Sequence, residues 1–173
     1  MNNKGFTLVE LLVSIFIIIL MSGIIFANYR AGGEQFALQR SANKLAQDIR
    51  RTQQMAMSAK EYNQINPPGG YGVYLTMGTP GGYILFADCD SGYDYDAIGT
   101  PCNGVPELVE EIEFESGVNI SSLSPSPLTI TFTPPDPEIR VNGSLGSSAT
   151  ITLTIDTKSQ MVTVNAAGLI EIQ

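Results

Sequence analysis

The spacing of apolar and polar positions changes twice along the chain. From Phe6 to Ala27 the residues are apolar or small, and Glu10 is the only charge. As a helix these 22 residues would span about 33 Å, enough to cross the hydrocarbon core of a bilayer. Beyond Ala27 the pattern turns amphipathic. Leu38, Ala42, Leu45, Ile49, Ala56 and Ala59 recur at three- and four-residue spacing with Thr52 in the same register. Gln39, Arg40, Asn43, Lys44, Gln47, Asp48, Arg50, Arg51 and Gln54 take the other faces. That spacing predicts a helix laid along a core. Its stripe is alanine-rich and short, which favours packing on the chain's own sheet over a coiled coil. Asn66-Pro67-Pro68-Gly69-Gly70 is the stop signal, so one helix is expected from Phe6 to about Tyr62, with Gly23 and Gly32-Gly33 as weak points.

From Tyr71 onward the signals are those of strands. Tyr71–Met77 and Tyr83–Ala87 flank Gly78-Thr79-Pro80-Gly81-Gly82, a hairpin signature. In Leu108–Glu115, Ile112 and Phe114 alternate with Glu111, Glu113 and Glu115, predicting a half-exposed strand with an acidic face. Leu128–Thr133 alternates until Pro134-Pro135-Asp136-Pro137 breaks it. Ala149–Ile155 and Met161–Asn165 suggest a second hairpin, and Gly168 allows a turn into a short edge at Leu169–Ile172. Ser121–Pro127 and Asn142–Ser148 read as loops. The expected fold class is α+β: a long N-terminal helix, transmembrane in its first half and amphipathic in its second, packed on antiparallel β-sheets. Residues 28–62 and the β-rich region 63–173 are expected to form one domain.

Charge is unevenly placed. Residues 1–60 carry a balance of +4 and residues 61–173 a balance of −12, for a net −8. So acidic an outer region argues against nucleic-acid binding. Histidine is absent, which removes the commonest general base and metal ligand. The serines lie in turns with no histidine to activate them, and no enzymatic constellation is apparent. Cys89 and Cys102 are expected to close a surface loop as a disulfide; a reactive or metal-binding thiol pair is the alternative. Asp88, Asp90, Asp94 and Asp96 crowd this loop around Gly92. Four such carboxylates suit a hard cation such as calcium, although the spacing is not that of an EF-hand, or they form a solvated acidic loop. Glu107, Glu110, Glu111, Glu113 and Glu115 make a second acidic run, either a solvated strand face or a surface for a basic partner.

Glu10 needs its own explanation, since a carboxylate inside an apolar span costs about 2.5–3.5 kcal/mol on insertion scales. A secretory signal would place a small-residue cleavage site after the apolar core, and none follows here. Lys4-Gly5-Phe6-Thr7-Leu8-Val9-Glu10-Leu11-Leu12 resembles the cleavage and methylation motif of type IV pilins and type II secretion pseudopilins. The resemblance implies a leader at residues 1–5, cleavage between Gly5 and Phe6 by prepilin peptidase, N-methylation of Phe6, and assembly through Glu10. It also implies a single-pass inner-membrane protein with its C-terminal domain on the periplasmic or extracellular side. The implied partners are other pilin-like subunits and an inner-membrane assembly platform. Many members of the family carry a proline where this chain has Ala27, which shifts the expected bend to Gly32-Gly33.

Tyr71-Gly72-Val73-Tyr74, Ile84-Leu85-Phe86-Ala87-Asp88 and the ending around Gly168 extend the resemblance to H-type minor pseudopilins and T-type minor pilins. A structural minor subunit of a pseudopilus or pilus is therefore the expected function. The alternative is a pilus-tip subunit that captures DNA or a surface. DNA-binding members of the family place arginines around the C-terminal glycine. Ala167–Gln173 has none and carries Glu171.

Overall fold

The structure is a computed structural model. It describes residues 7–78, 81–134 and 138–173, with backbone alone for residues 25–31. The chain divides into two compact units, residues 1–36 and 37–173.

Helix α1 runs Leu8–Met57 and its backbone is helical through Gly32-Gly33. Thr7 caps its start: the Glu10 N–H donates to Thr7 Oγ1 at 3.3 Å, the Thr-x-x-Glu pattern of a capping box. The end falls at Met57, short of the Tyr62 expected from the pattern. There the Lys60 N–H reaches the Met55 carbonyl (3.1 Å), the Ala59 N–H reaches Ala56 (3.0 Å), and Ala59 has φ +45°. This is a Schellman ending with alanine where glycine is usual, so it leaves no sequence signal.

Among the described residues the second unit holds ten strands: β1 (Gly70–Leu75), β2 (Gly82–Asp88), β3 (Leu108–Glu113), β4 (Asn119–Ser124), β5 (Leu128–Thr133), β6 (Glu138–Val141), β7 (Ser144–Leu145), β8 (Ala149–Ile155), β9 (Lys158–Val164) and β10 (Ile170–Ile172). They form two antiparallel sheets, ordered β3-β2-β1-β5-β6-β7 and β10-β9-β8-β4. The sequence pattern misses β4, β6 and β7: it reads as loops both Ser121–Pro127, which overlaps β4, and Asn142–Ser148, which holds β7. The serines of Asn119–Ser124 suppress the apolar alternation, and only Leu123 is buried there.

One hydrophobic cluster joins the buried faces of both sheets to Leu38, Ala42, Leu45, Ile49 and Ala56 of the helix. The first sheet is covered on both sides. Tyr71, Val73, Leu85 and Ile130 face this cluster. On the other side Phe86 lies across from Gly72, where a Cβ would come within 2.3 Å of the Phe86 ring. The loop between β2 and β3 covers that side, with Tyr95 against Phe86 at 5.7 Å between ring centroids.

Candidate functional site

Three groups of functional side chains were expected: the N-terminal segment, the acidic strand and the disulfide loop. Gly5 and Phe6 lie outside the described residues. Glu10 stands exposed in the first helical turn, where a carboxylate also complements the helix dipole. Around it every face is apolar and open: Leu8 is 77% exposed, Phe16 61% and Ile19 64%. A helix apolar on all sides needs lipid or other helices around it. Its two serines are neutralised internally, Ser14 Oγ donating to the Glu10 carbonyl and Ser22 Oγ to Ile18, both at 2.7 Å. Among the described residues no helix is long and apolar enough to cross a membrane; the described side chains of the apolar run end at Ile24.

The acidic run of β3 does not behave as one surface. Arg40 grips Glu115 with two bonds of 2.5 and 2.6 Å, and this hydrogen bonding holds the Glu115 carboxyl below its ordinary range. Arg51 pairs with Glu110 at 2.8 Å. Beside them the buried Asp48 accepts from Tyr83 Oη at 2.5 Å and pairs with Lys44 at 3.1 Å. Burial, then the bond to Asp48, pushes the Tyr83 phenol far up. Glu110 and Glu115 are thus spent on the chain's own helix. Glu111 and Glu113 remain exposed, and neither makes an ion pair among the described residues.

The fifth member of the run, Glu107, is fully buried. It turns back into the disulfide loop and accepts the N–H groups of Cys89 (2.9 Å) and Asp96 (3.1 Å). The Cys89–Cys102 disulfide is formed, with 5.3 Å between Cα atoms. Asp88, also buried, takes the N–H groups of Ser91 (2.7 Å) and Tyr93 (2.8 Å). Asp90 takes that of Gly92 at 2.9 Å. Desolvation dominates both buried acids, raising the Asp88 carboxyl and pushing Glu107 up to about 7.

The structure therefore brings Asp88 and Asp90 together with Glu107, their oxygens within 4.8 Å of one another. Asp94 instead lines a neighbouring cleft, and Asp96 meets the cluster both through its backbone N–H and through its carboxyl, which lies beside that of Asp90. Five backbone N–H groups already occupy these three carboxylates, the arrangement of a braced loop more than of an open cation site. Sequence reasoning missed Glu107 because it reads as the first member of an exposed run; its closeness to Cys102 is the only signal.

At the C-terminus the turn holding Gly168 (φ +84°) is tied by Asn165, whose Oδ1 accepts from Ala167 and Leu169. Arg50 of the helix reaches over to the Ile170 carbonyl at 3.0 Å.

No curated protein and no solved structure matches the chain. Residues 1–26 match the prokaryotic N-terminal methylation motif. Residues 41–168, most of the helix-and-sheet unit, match the type II transport protein GspH. With an N-terminal helix packed on antiparallel sheets and both matches in one chain, the protein belongs to the GspH family of pseudopilins.

Proposed function

We propose that the protein is a non-enzymatic minor subunit of a type II secretion pseudopilus. The observation that carries this is the pairing, in one chain, of the methylation motif over residues 1–26 with the GspH match over residues 41–168. In this reading Phe6–Ala27 anchors the chain once in the inner membrane with the β-rich region on the periplasmic side. Prepilin peptidase cuts between Gly5 and Phe6, and the new amine at Phe6 is methylated. The subunit leaves the bilayer by exchanging lipid for neighbouring helices of the same kind at the inner-membrane assembly platform. The all-round apolar exposure of Leu8–Ile24 supports that exchange. Glu10, a carboxylate in a low-dielectric bundle, is costly unpaired and tolerable beside a neighbour's amine, so it sets axial register.

The test is Glu10→Ala in cells. The variant should be cleaved, methylated and membrane-bound, yet absent from the filament, and secretion should fall. Normal incorporation of Glu10→Ala would sink the assembly role. Deleting the gene separates the machines: loss of secreted enzymes marks a pseudopilus, loss of surface fibres with intact secretion marks a pilus.

A further inference from the structure

A cleft of about 380 Å³ opens between the disulfide loop and the β5–β6 side of the first sheet. Its wall includes Tyr74, Tyr93, Asp94, Tyr95, Thr129 and Asn142, and its volume is in the range of small-molecule sites. The hydroxyls of Tyr62, Tyr71 and Tyr83 are all hydrogen-bonded elsewhere in the fold. Those of the three cleft tyrosines make no hydrogen bond among the described residues.

The rings are held in place before any ligand arrives. Tyr93 has φ +61°, a left-handed conformation that a bulky residue keeps only where its surroundings impose it. Its N–H is fixed by Asp88 and its carbonyl accepts from Thr131 Oγ1 at 3.1 Å. The Arg140 guanidinium lies 4.2 Å from its ring centroid. Tyr95 is wedged against Phe86 and against Tyr74, 5.5 Å away. The buried acids of the loop thus hold the backbone that presents this aromatic wall.

The lining selects a ligand class. Arg140 already occupies one face of Tyr93, which disfavours a second cation on that ring. Asp94 disfavours an anion. Fixed aromatic faces beside phenol hydroxyls and a carboxylate suit a flat C–H surface rimmed with hydroxyls. We propose that this cleft binds a neutral saccharide, a hexopyranose ring packing on Tyr93 and Tyr95 while Asp94 accepts from its hydroxyls. The inference does not depend on the pseudopilin reading, and neither fails with the other.

The test uses the full chain in a polyoxyethylene detergent, because glycoside and choline headgroups would compete. Saturation-transfer NMR and tyrosine fluorescence are recorded with maltose, cellobiose and diacetylchitobiose, and with tetramethylammonium as the cationic arm. At least one disaccharide should bind with a Kd of about 0.1–5 mM. Tyr95→Ala should abolish the signal. Asp94→Asn, an exposed near-isosteric change that leaves the fold intact, should weaken it by about tenfold, the loss of one charge-assisted hydrogen bond. The inference is overturned by no saturation transfer from any of the three sugars, by binding unchanged in Asp94→Asn, or by uptake of tetramethylammonium in their place.

Discussion

Raising the pH from 5 to 8 should destabilise residues 37–173, and Glu107 should be the main cause. Its carboxyl is fully buried and titrates near 7 in the fold, against an ordinary value of 4.5. Between those values the folded state holds a proton that the unfolded chain releases. Stability from this group is therefore complete below about 4.5 and is lost as pH rises through about 7. One full proton of difference gives a slope of about −1.4 kcal/mol per pH unit. Across the whole shift this sets a ceiling of about 3.4 kcal/mol, and relaxation of the loop toward water brings the expected loss to about 1–3 kcal/mol. Asp88, raised by the same desolvation, acts in the same direction. Glu115, lowered by Arg40, loses its contribution only at pH below the ordinary carboxylate range, outside this window. The assay is urea unfolding of a fragment beginning near residue 35, followed by tyrosine fluorescence at half-unit pH steps. Glu107→Gln should flatten the slope. It should also lower stability at pH 5 by about 1–2 kcal/mol, since one amide oxygen cannot accept both N–H bonds, and the two stability curves should converge as the pH approaches 8. A stability that rises from pH 5 to 8, or a slope unchanged in Glu107→Gln, would refute the reasoning.

Cys89→Ser with Cys102→Ser should cost about 3 kcal/mol, the loop-closure entropy for this spacing, read as a lower urea midpoint. Gly72→Ala drives a Cβ to 2.3 Å from the Phe86 ring and should cost about 1–3 kcal/mol; adding Phe86→Leu should recover part of it, and strict additivity in that double-mutant cycle would contradict the contact. Thr7→Ala removes the helix cap but leaves the Glu10 carboxylate, so it should preserve filament incorporation where Glu10→Ala abolishes it. Calorimetry should show no calcium heat tighter than about 1 mM, the carboxylates being engaged by N–H groups; a heat that disappears in Asp90→Asn would reverse that.

Much of this architecture was written in local pattern. The period of Leu38, Ala42, Leu45 and Ile49 determined the buried stripe of the helix, because helical geometry alone places those residues on one face. Strict alternation in Ala149–Ile155 determined β8 to the residue, and the spacing around Gly5, Phe6 and Glu10 pointed to the family. What tertiary structure decided was everything that depends on a distant partner. The helix stopped at Met57 because Ala59 could take a left-handed turn there. Asn119–Ser124 became a strand because β8 offered an edge to pair with, not through any periodicity of its own. The run Glu107, Glu110, Glu111, Glu113 and Glu115 looked uniform in sequence, yet packing gave its members three different fates. Two pair with arginines of the helix, two face solvent, and Glu107 is buried under the disulfide loop. Charge is a local property of a residue, but desolvation and pairing depend on what the fold brings within a few ångströms, and no spacing along the chain encodes that.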